Sequence, residues 1–207
     1  MALGENTGGH IFLNIKEGKI SYKDKATGEK KTCGFVEGLI TDVKFEIKEW
    51  EGKKYEQVSV TIVDGAEKYI LQMKTNSGYF RAFCNCLKSG DVTKRTKFTP
   101  TYSEDGASKN SGMFVNQQGV EKSLPWYSTK KDPKDVPPLK PVTFNGETKW
   151  DGTEQLKYWR DWLNSIKWTS DFEAGSMSQP SVSTTTATHN PDQSGPVVSD
   201  DLEDLPF

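Results

Sequence analysis

The chain has 207 residues, 33% of them apolar, with 27 lysines and arginines against 29 acidic residues. That length suits one ordinary domain with appendages. No apolar run approaches the roughly 20 residues of a membrane helix, and Met1 to Gly9 lacks the basic and apolar stretches of a targeting signal, so the expectation is a cytoplasmic protein without membrane contact.

In chain order, Ile11 to Ile15 and Ile20 to Tyr22 read as a short hairpin turning at Gly18. A long strand follows from Phe35 to Trp50. Its second half sets Val43, Phe45 and Ile47 on an inward face, with Lys44, Glu46, Lys48 and Trp50 on the other. Gly34 and Gly38 point to a bulge or bend in its first half. After a turn at Glu51 to Lys54, Tyr55 to Asp64 alternates with Val58, Val60 and Ile62 inward and Tyr55, Gln57, Ser59 and Thr61 outward. Asp64-Gly65 then turns into a third strand, Lys68 to Lys74. A helix capped by Asn76 or Ser77 runs to about Leu87 with Phe80, Phe83, Cys84 and Leu87 on one stripe, and Ser89-Gly90 stops it. Val92 to Tyr102 and Met113 to Gln118 return to strand, joined by a polar loop from Ser103 to Ser111.

Three strands, a helix and two more strands is the order of the five-stranded OB-fold barrel, with the helix between the third and fourth strands. The alternatives are a small barrel of another family or an α+β sandwich. The fold class expected is therefore mainly β: an OB-fold barrel with an internal helix and an N-terminal β-hairpin, spanning residues 1–127. Residues 128–170 read as a proline-rich linker, with Pro133, Pro137, Pro138 and Pro141, followed by an amphipathic helix packed on the barrel. That helix, Thr153 to Trp168, has Thr153 as its cap and Leu156, Trp159, Leu163 and Ile166 on one stripe. Its tryptophans, 159, 162 and 168, read mostly as anchors to the barrel rather than as base-stacking rings. Residues 171–207 read as a disordered acidic tail: a Ser/Thr/Pro/Gln-rich tether from Gly175 to Ser199 and a terminal tip.

Enzyme chemistry finds little footing. The histidines are His10 and His189, the latter in the tether, and neither a phosphate-binding loop nor a dinucleotide fingerprint is present. The chain is expected not to be an enzyme and to need no cofactor. Cys84 and Cys86 with Cys33 and His10 would make four zinc ligands, but two positions apart on a helix point about 200° apart, so no metal site is expected and the thiols read as buried small hydrophobes.

Charge divides along the chain more informatively than its total of −2. Residues 171–207 hold seven acidic residues and no basic one, or −7; residues 1–170 hold all 27 basic residues against 22 acidic, or +5. A basic body attracts a polyanion, and an acidic tail competes with it or recruits something else. Single-stranded nucleic acid exposes phosphates and base faces together, so a nonspecific binder needs cations along a groove with flat rings among them. The candidates for that role are Lys44, Lys48, Trp50, Lys53, Lys54, Tyr55, Lys68 and Lys74 on the first three strands. Arg95, Lys97, Phe114, Trp126 and Tyr127 follow further on.

The chain ends Asp200-Asp201-Leu202-Glu203-Asp204-Leu205-Pro206-Phe207, four carboxylates interleaved with two leucines and closed by Pro-Phe. Apolar groups at fixed offsets from charge suit a basic-rimmed apolar pocket on a partner. This finish resembles the acidic tip of bacterial and phage single-stranded DNA-binding proteins. The stretch Gly52-Lys-Lys-Tyr-Glu-Gln57 through Asp64-Gly65, Tyr69-Ile-Leu-Gln72 and Ser77-Gly78-Tyr79 is similar to phage-encoded members of that kind. The resemblance implies nonspecific coating of single-stranded DNA in replication, recombination or repair, in a host-cell cytoplasm if the protein is phage-encoded. It also implies recruitment of replication or recombination proteins by residues Asp200 to Phe207. The N-terminal hairpin, proline linker and Trp-rich helix depart from the bacterial pattern and leave monomer, dimer or another homo-oligomer open. A protein-interaction module on a small barrel, or an RNA-binding one, is the alternative.

Overall fold

The computed structural model describes residues 9–24, 26–106, 108–144 and 147–169. The tether and the tip, including Asp200 to Phe207, lie outside the described residues. Within them the order is β1 (Ile11–Lys16), β2 (Lys19–Lys23), β3 (Lys30–Cys33), β4 (Val36–Trp50), β5 (Lys53–Asp64), β6 (Glu67–Lys74), α1 (Gly78–Lys88), β7 (Thr96–Asp105), β8 (Ser108–Gln117), β9 (Lys140–Phe144), β10 (Glu147–Asp151) and α2 (Thr153–Ser165). The protein is mainly β. No helix among the described residues is long and apolar enough to cross a membrane.

Eight strands make one sheet in the order β3-β2-β1-β6-β5-β4-β7-β8. Neighbours run antiparallel except β1 and β6, which are parallel with Ile11 opposite Tyr69 and Asn14 opposite Gln72. The N-terminal hairpin is thus not an appendage; with β3 it extends the sheet beyond β6. β3 escapes sequence reading because Lys-Lys-Thr-Cys shows no apolar alternation, and it is held by its ladder to β2, from Ile20 opposite Cys33 to Lys23 opposite Lys30.

β4 is the corner of the sheet. Its first residues pair with β7, Val36 opposite Phe98, and from Leu39 onward it pairs with β5. Gly38 sits where it changes partner: a Cβ there would lie 2.5 Å from the Val63 carbonyl oxygen, so no side chain fits without moving the backbone. The bulge itself falls at Thr41, between Ile40 and Asp42, rather than at the glycines. Bending brings the β1–β2 turn round to β7. Gly18, at φ +71°, lies so close to the backbone of Thr101 and Tyr102 that a Cβ would come within 3.0 Å, and its N–H donates to the Tyr79 hydroxyl at 2.9 Å.

The concave side holds the core. Ser77 caps α1 by accepting from the Phe80 N–H at 3.2 Å, and the helix buries Phe80, Phe83, Cys84 and Leu87 against Val43, Val58, Val60, Leu71, Phe98 and Val115. Phe83 meets Phe98 at 5.6 Å between centroids, and Phe80 meets Phe45 edge-on at 6.0 Å. α2 joins the same side through Trp159 and Leu163, both buried in that core. The free edge of β8 is covered in part by the following segment, whose Leu124 N–H donates to the Val115 carbonyl at 2.7 Å.

Several sequence expectations are corrected. Ile47 is 74% exposed rather than inward, because the β4–β5 hairpin runs on past the end of the core. The polar segment from Ser103 to Ser111 is not a loop: the β7–β8 ladder continues to Asp105 opposite Ser108, its main-chain pairing needing no apolar side chains. β7 starts at Thr96 because Asp91 folds the preceding residues into a turn, accepting from the Thr93 N–H and hydroxyl at 3.0 and 2.7 Å. The proline-rich piece contains the β9–β10 hairpin, with Pro141 opposite Trp150. Gly152, not Thr153, is the cap position of α2; the Asp151 carboxylate accepts from the Thr153 N–H and hydroxyl at 2.9 and 2.6 Å. α2 itself ends at Ser165.

Candidate nucleic-acid interface

Both helices pack on one side of the sheet, so among the described residues no helix covers the convex side of β4, β5, β6 and β1. Strand alternation decides what it displays. Cross-strand register sets Trp50 beside Lys53, then Lys48 beside Tyr55, then Glu46, Gln57 and Lys74 in a row. Next come Lys44, Ser59, Gln72 and Asn14, then Thr61, Ile70 and Phe12, and at the far end Val63 beside Lys68, where Thr61 and Val63 are buried and Val63 packs with Leu39 in a small cluster of its own. From Lys53 to Ser59, where the outward residues of β5 are accessible, this is a track about 20 Å long. Six of the candidate residues on the first strands, Lys44, Lys48, Trp50, Lys53, Tyr55 and Lys74, fall on it near one another. Lys68 shares the face at its opposite end.

Trp50 is 69% exposed, at the open end of the track. Tyr55 is half-buried, with the Lys74 ammonium 4.9 Å from its ring centroid. Beside it is a depression of about 280 Å³ lined by Asn14, Tyr55, Gln57, Gln72 and Lys74 together with Ser77 and Tyr79. The lysines have carboxylate neighbours on the same strand: Lys44 is 2.9 Å from Asp42, and Lys48 is 2.8 Å from Glu46. Exposed pairs of this kind contribute about 0–1 kcal/mol, so exchanging the carboxylate for another anion would cost little. A ring flanked by an ammonium and by amide side chains is able to stack a base while its neighbours hold phosphate and base edges.

Other candidates stand elsewhere. Lys54 alternates onto the opposite face, across from Glu49. Arg95 donates to Glu37 and Asp64, each at 2.8 Å, tying the entrance of β7 to β4 and β5. The bond to Asp64 foremost, and that to Glu37, push its pKa up against the opposing effect of burial, and its guanidinium is committed to the two carboxylates. Lys97 lies 3.9 Å over the Phe35 ring, and with Arg95, Glu37 and Asn116 it borders a second depression of about 270 Å³. Phe114, 57% exposed opposite Thr99, extends this separate patch on the β7–β8 side.

Trp126 and Tyr127 belong to neither patch. Their segment lies along α1, where the Tyr127 N–H donates to the Asn85 carbonyl at 3.1 Å. The Tyr127 ring is one of three, with Tyr158 and Trp162, each centred 5.0 Å from the Lys88 ammonium. The Tyr127 and Tyr158 hydroxyls both donate to Asp135, at 2.8 and 2.7 Å. These bonds, that of Tyr158 first, hold the Asp135 carboxyl below its ordinary pKa. Trp126, 44% exposed, is next to this cluster on the helix side of the molecule.

Residues missed from sequence are those contributed by the N-terminal strands: Phe12, 52% exposed, and Asn14, with Gln57 and Gln72 on either side of the depression. Ile11, Leu13 and Ile15 alternate with Phe12, Asn14 and Lys16, so the outward set was readable. The parallel joint that brings Asn14 opposite Gln72 was not, since no local pattern encodes it. Comparison of the chain with protein-family models, with curated proteins and with solved structures finds no match to any of them.

Proposed function

We propose that this protein binds single-stranded DNA without sequence preference, on an OB-like barrel formed by β4, β5, β6, α1, β7 and β8, and recruits replication or recombination proteins through Asp200 to Phe207. The observation that carries the reading is the helix-free convex track, where Lys48 beside Tyr55, Trp50 beside Lys53, and Lys74 against Tyr55 alternate cation and ring. Duplex DNA keeps its base faces stacked inside and has no use for such rings; a single strand does. Support also comes from the division of charge, +5 over residues 1–170 and −7 beyond, and from the likeness of the last eight residues to the tips of single-stranded DNA-binding proteins. The protein acts on this reading as a coat and a platform rather than a catalyst.

Titration with fluorescent oligo(dT) of about 30 nucleotides and with a duplex of the same length, at two salt concentrations, tests it. Tight single-strand binding that weakens with salt, and little duplex binding, is the expected result. Absence of single-strand binding at low salt, with the tail removed as well, would overturn it in favour of a protein-interaction scaffold. Tighter binding to oligo(rU) than to oligo(dT) would move the reading to RNA.

A further inference from the structure

The sheet does not stop at β6. β1 continues it in parallel register and β2 and β3 follow, so the convex face that carries Tyr55 and Lys74 extends over three more strands. Alternation puts Phe12 and Asn14 of β1, Lys19 and Lys23 of β2 and Lys30 of β3 on that same side, while Leu13 and Ile20 point into the core. Lys23 stands directly opposite Lys30, and Phe12, Lys19, Lys23 and Lys30 are all exposed. The depression beside Tyr55 straddles the joint, with Asn14 on one bank and Tyr55 and Gln57 on the other. Neighbouring strands lie about 4.8 Å apart, so β3 is roughly 19 Å from β5 across this face.

We propose that the N-terminal strands β1–β3 are a second half of the nucleic-acid surface, and that a single strand leaving Tyr55 crosses the joint at Asn14 and runs over Phe12 onto Lys19, Lys23 and Lys30. This deepens the single-strand reading above and rests on it. The occupant follows from the chemistry: two directly opposed lysines on adjacent strands repel each other until a polyanion lies over them. The surface is also continuous with a track that already offers rings and ammonium groups. A strand edge blunted by Lys30 and Lys31 alone would serve only to discourage edge pairing; it would not call for Lys19 and Lys23 and an exposed Phe12 on the same side.

The test is a comparison of the intact chain with Lys19→Ala/Lys23→Ala/Lys30→Ala, using oligo(dT) of about 6 nucleotides, near the lower end of the ~4–16 nucleotides of one barrel, and of about 20, beyond its upper end. On the short oligonucleotide the variant should match the wild type. On the long one it should bind at least about fivefold more weakly at low salt, with the slope of log K against log salt reduced by about 2, three phosphate contacts at ~0.7 each. Phe12→Ala should weaken long-oligonucleotide binding without changing that slope. Wild-type binding reproduced by both variants at both lengths, with the same slope, would overturn the extension and leave the β4–β6 track standing. A wild-type chain that binds neither oligonucleotide would overturn the track and the extension together.

Discussion

Two aromatic residues show how much burial decides about role. Trp159 is almost wholly buried, in edge-on contact with Tyr158 and Trp162 at 5.0 and 5.8 Å, and its indole N–H has no hydrogen-bond partner among the described residues. Tyr55 is half-buried on the convex face with an ammonium above it. Trp159→Ala is therefore expected to cost about 3–5 kcal/mol of stability, read as a lowered midpoint in urea. Tyr55→Ala should leave that midpoint nearly unchanged and weaken oligo(dT) binding by about 1–3 kcal/mol. Equal losses of stability in the two variants would place Tyr55 in the core and remove it from the interface.

Between α1 and α2 the structure relies on a polar clamp as well as on apolar contact. Lys88, the last residue of α1, is enclosed by Tyr127, Tyr158 and Trp162, and Asp135 receives both tyrosine hydroxyls. Arg160 of α2 also pairs with Glu56 of β5. Because the folded Asp135 carboxyl is held below its ordinary value, its contribution is present above the unfolded pKa and is lost as pH falls through the folded one. Acid titration should then loosen α2 at a pH where Asp135→Asn shows no such step, with tryptophan emission as the readout. Indistinguishable wild-type and Asp135→Asn profiles would show that the clamp is not the acid-sensitive element. Sequence reading finds α2 and its anchors because Leu156, Trp159 and Leu163 repeat at helical spacing. It likewise finds β4 to β6, whose Val, Ile and Leu alternate, and through them six residues of the convex track. It misses β3, the outer half of β7–β8 and the β9–β10 hairpin for a shared reason: these strands are held by main-chain ladders, and their exposed side chains carry no burial signal. The partners of Tyr127 and Arg95, Asp135 with Lys88 and Asp64 with Glu37, are set by tertiary packing and have no signature in the sequence.

At the scale of the whole molecule, a body of +5 is joined to a tail of −7. Opposite charges tethered on one chain attract most at low ionic strength, so deleting Asp200 to Phe207 should leave oligo(dT) affinity unchanged or raise it, most clearly at low salt. A loss of affinity would mean that the tail assists binding. The parallel joint between β1 and β6 has a different consequence, one of timing. β1, β2 and β3 pair among themselves, but they cannot join the rest of the sheet until residues 69–72 have been synthesised, whereas β4, β5 and β6 close on one another through short turns as soon as they emerge. The first strands of the chain thus wait for the sixth before they join their sheet, and the main-chain edge they wait for is the same on every copy. Where nascent chains crowd together, each β6 edge meets the N-terminal strands of its neighbours as well as its own, and the short link at Gly34 and Phe35 separates self-closure from exchange.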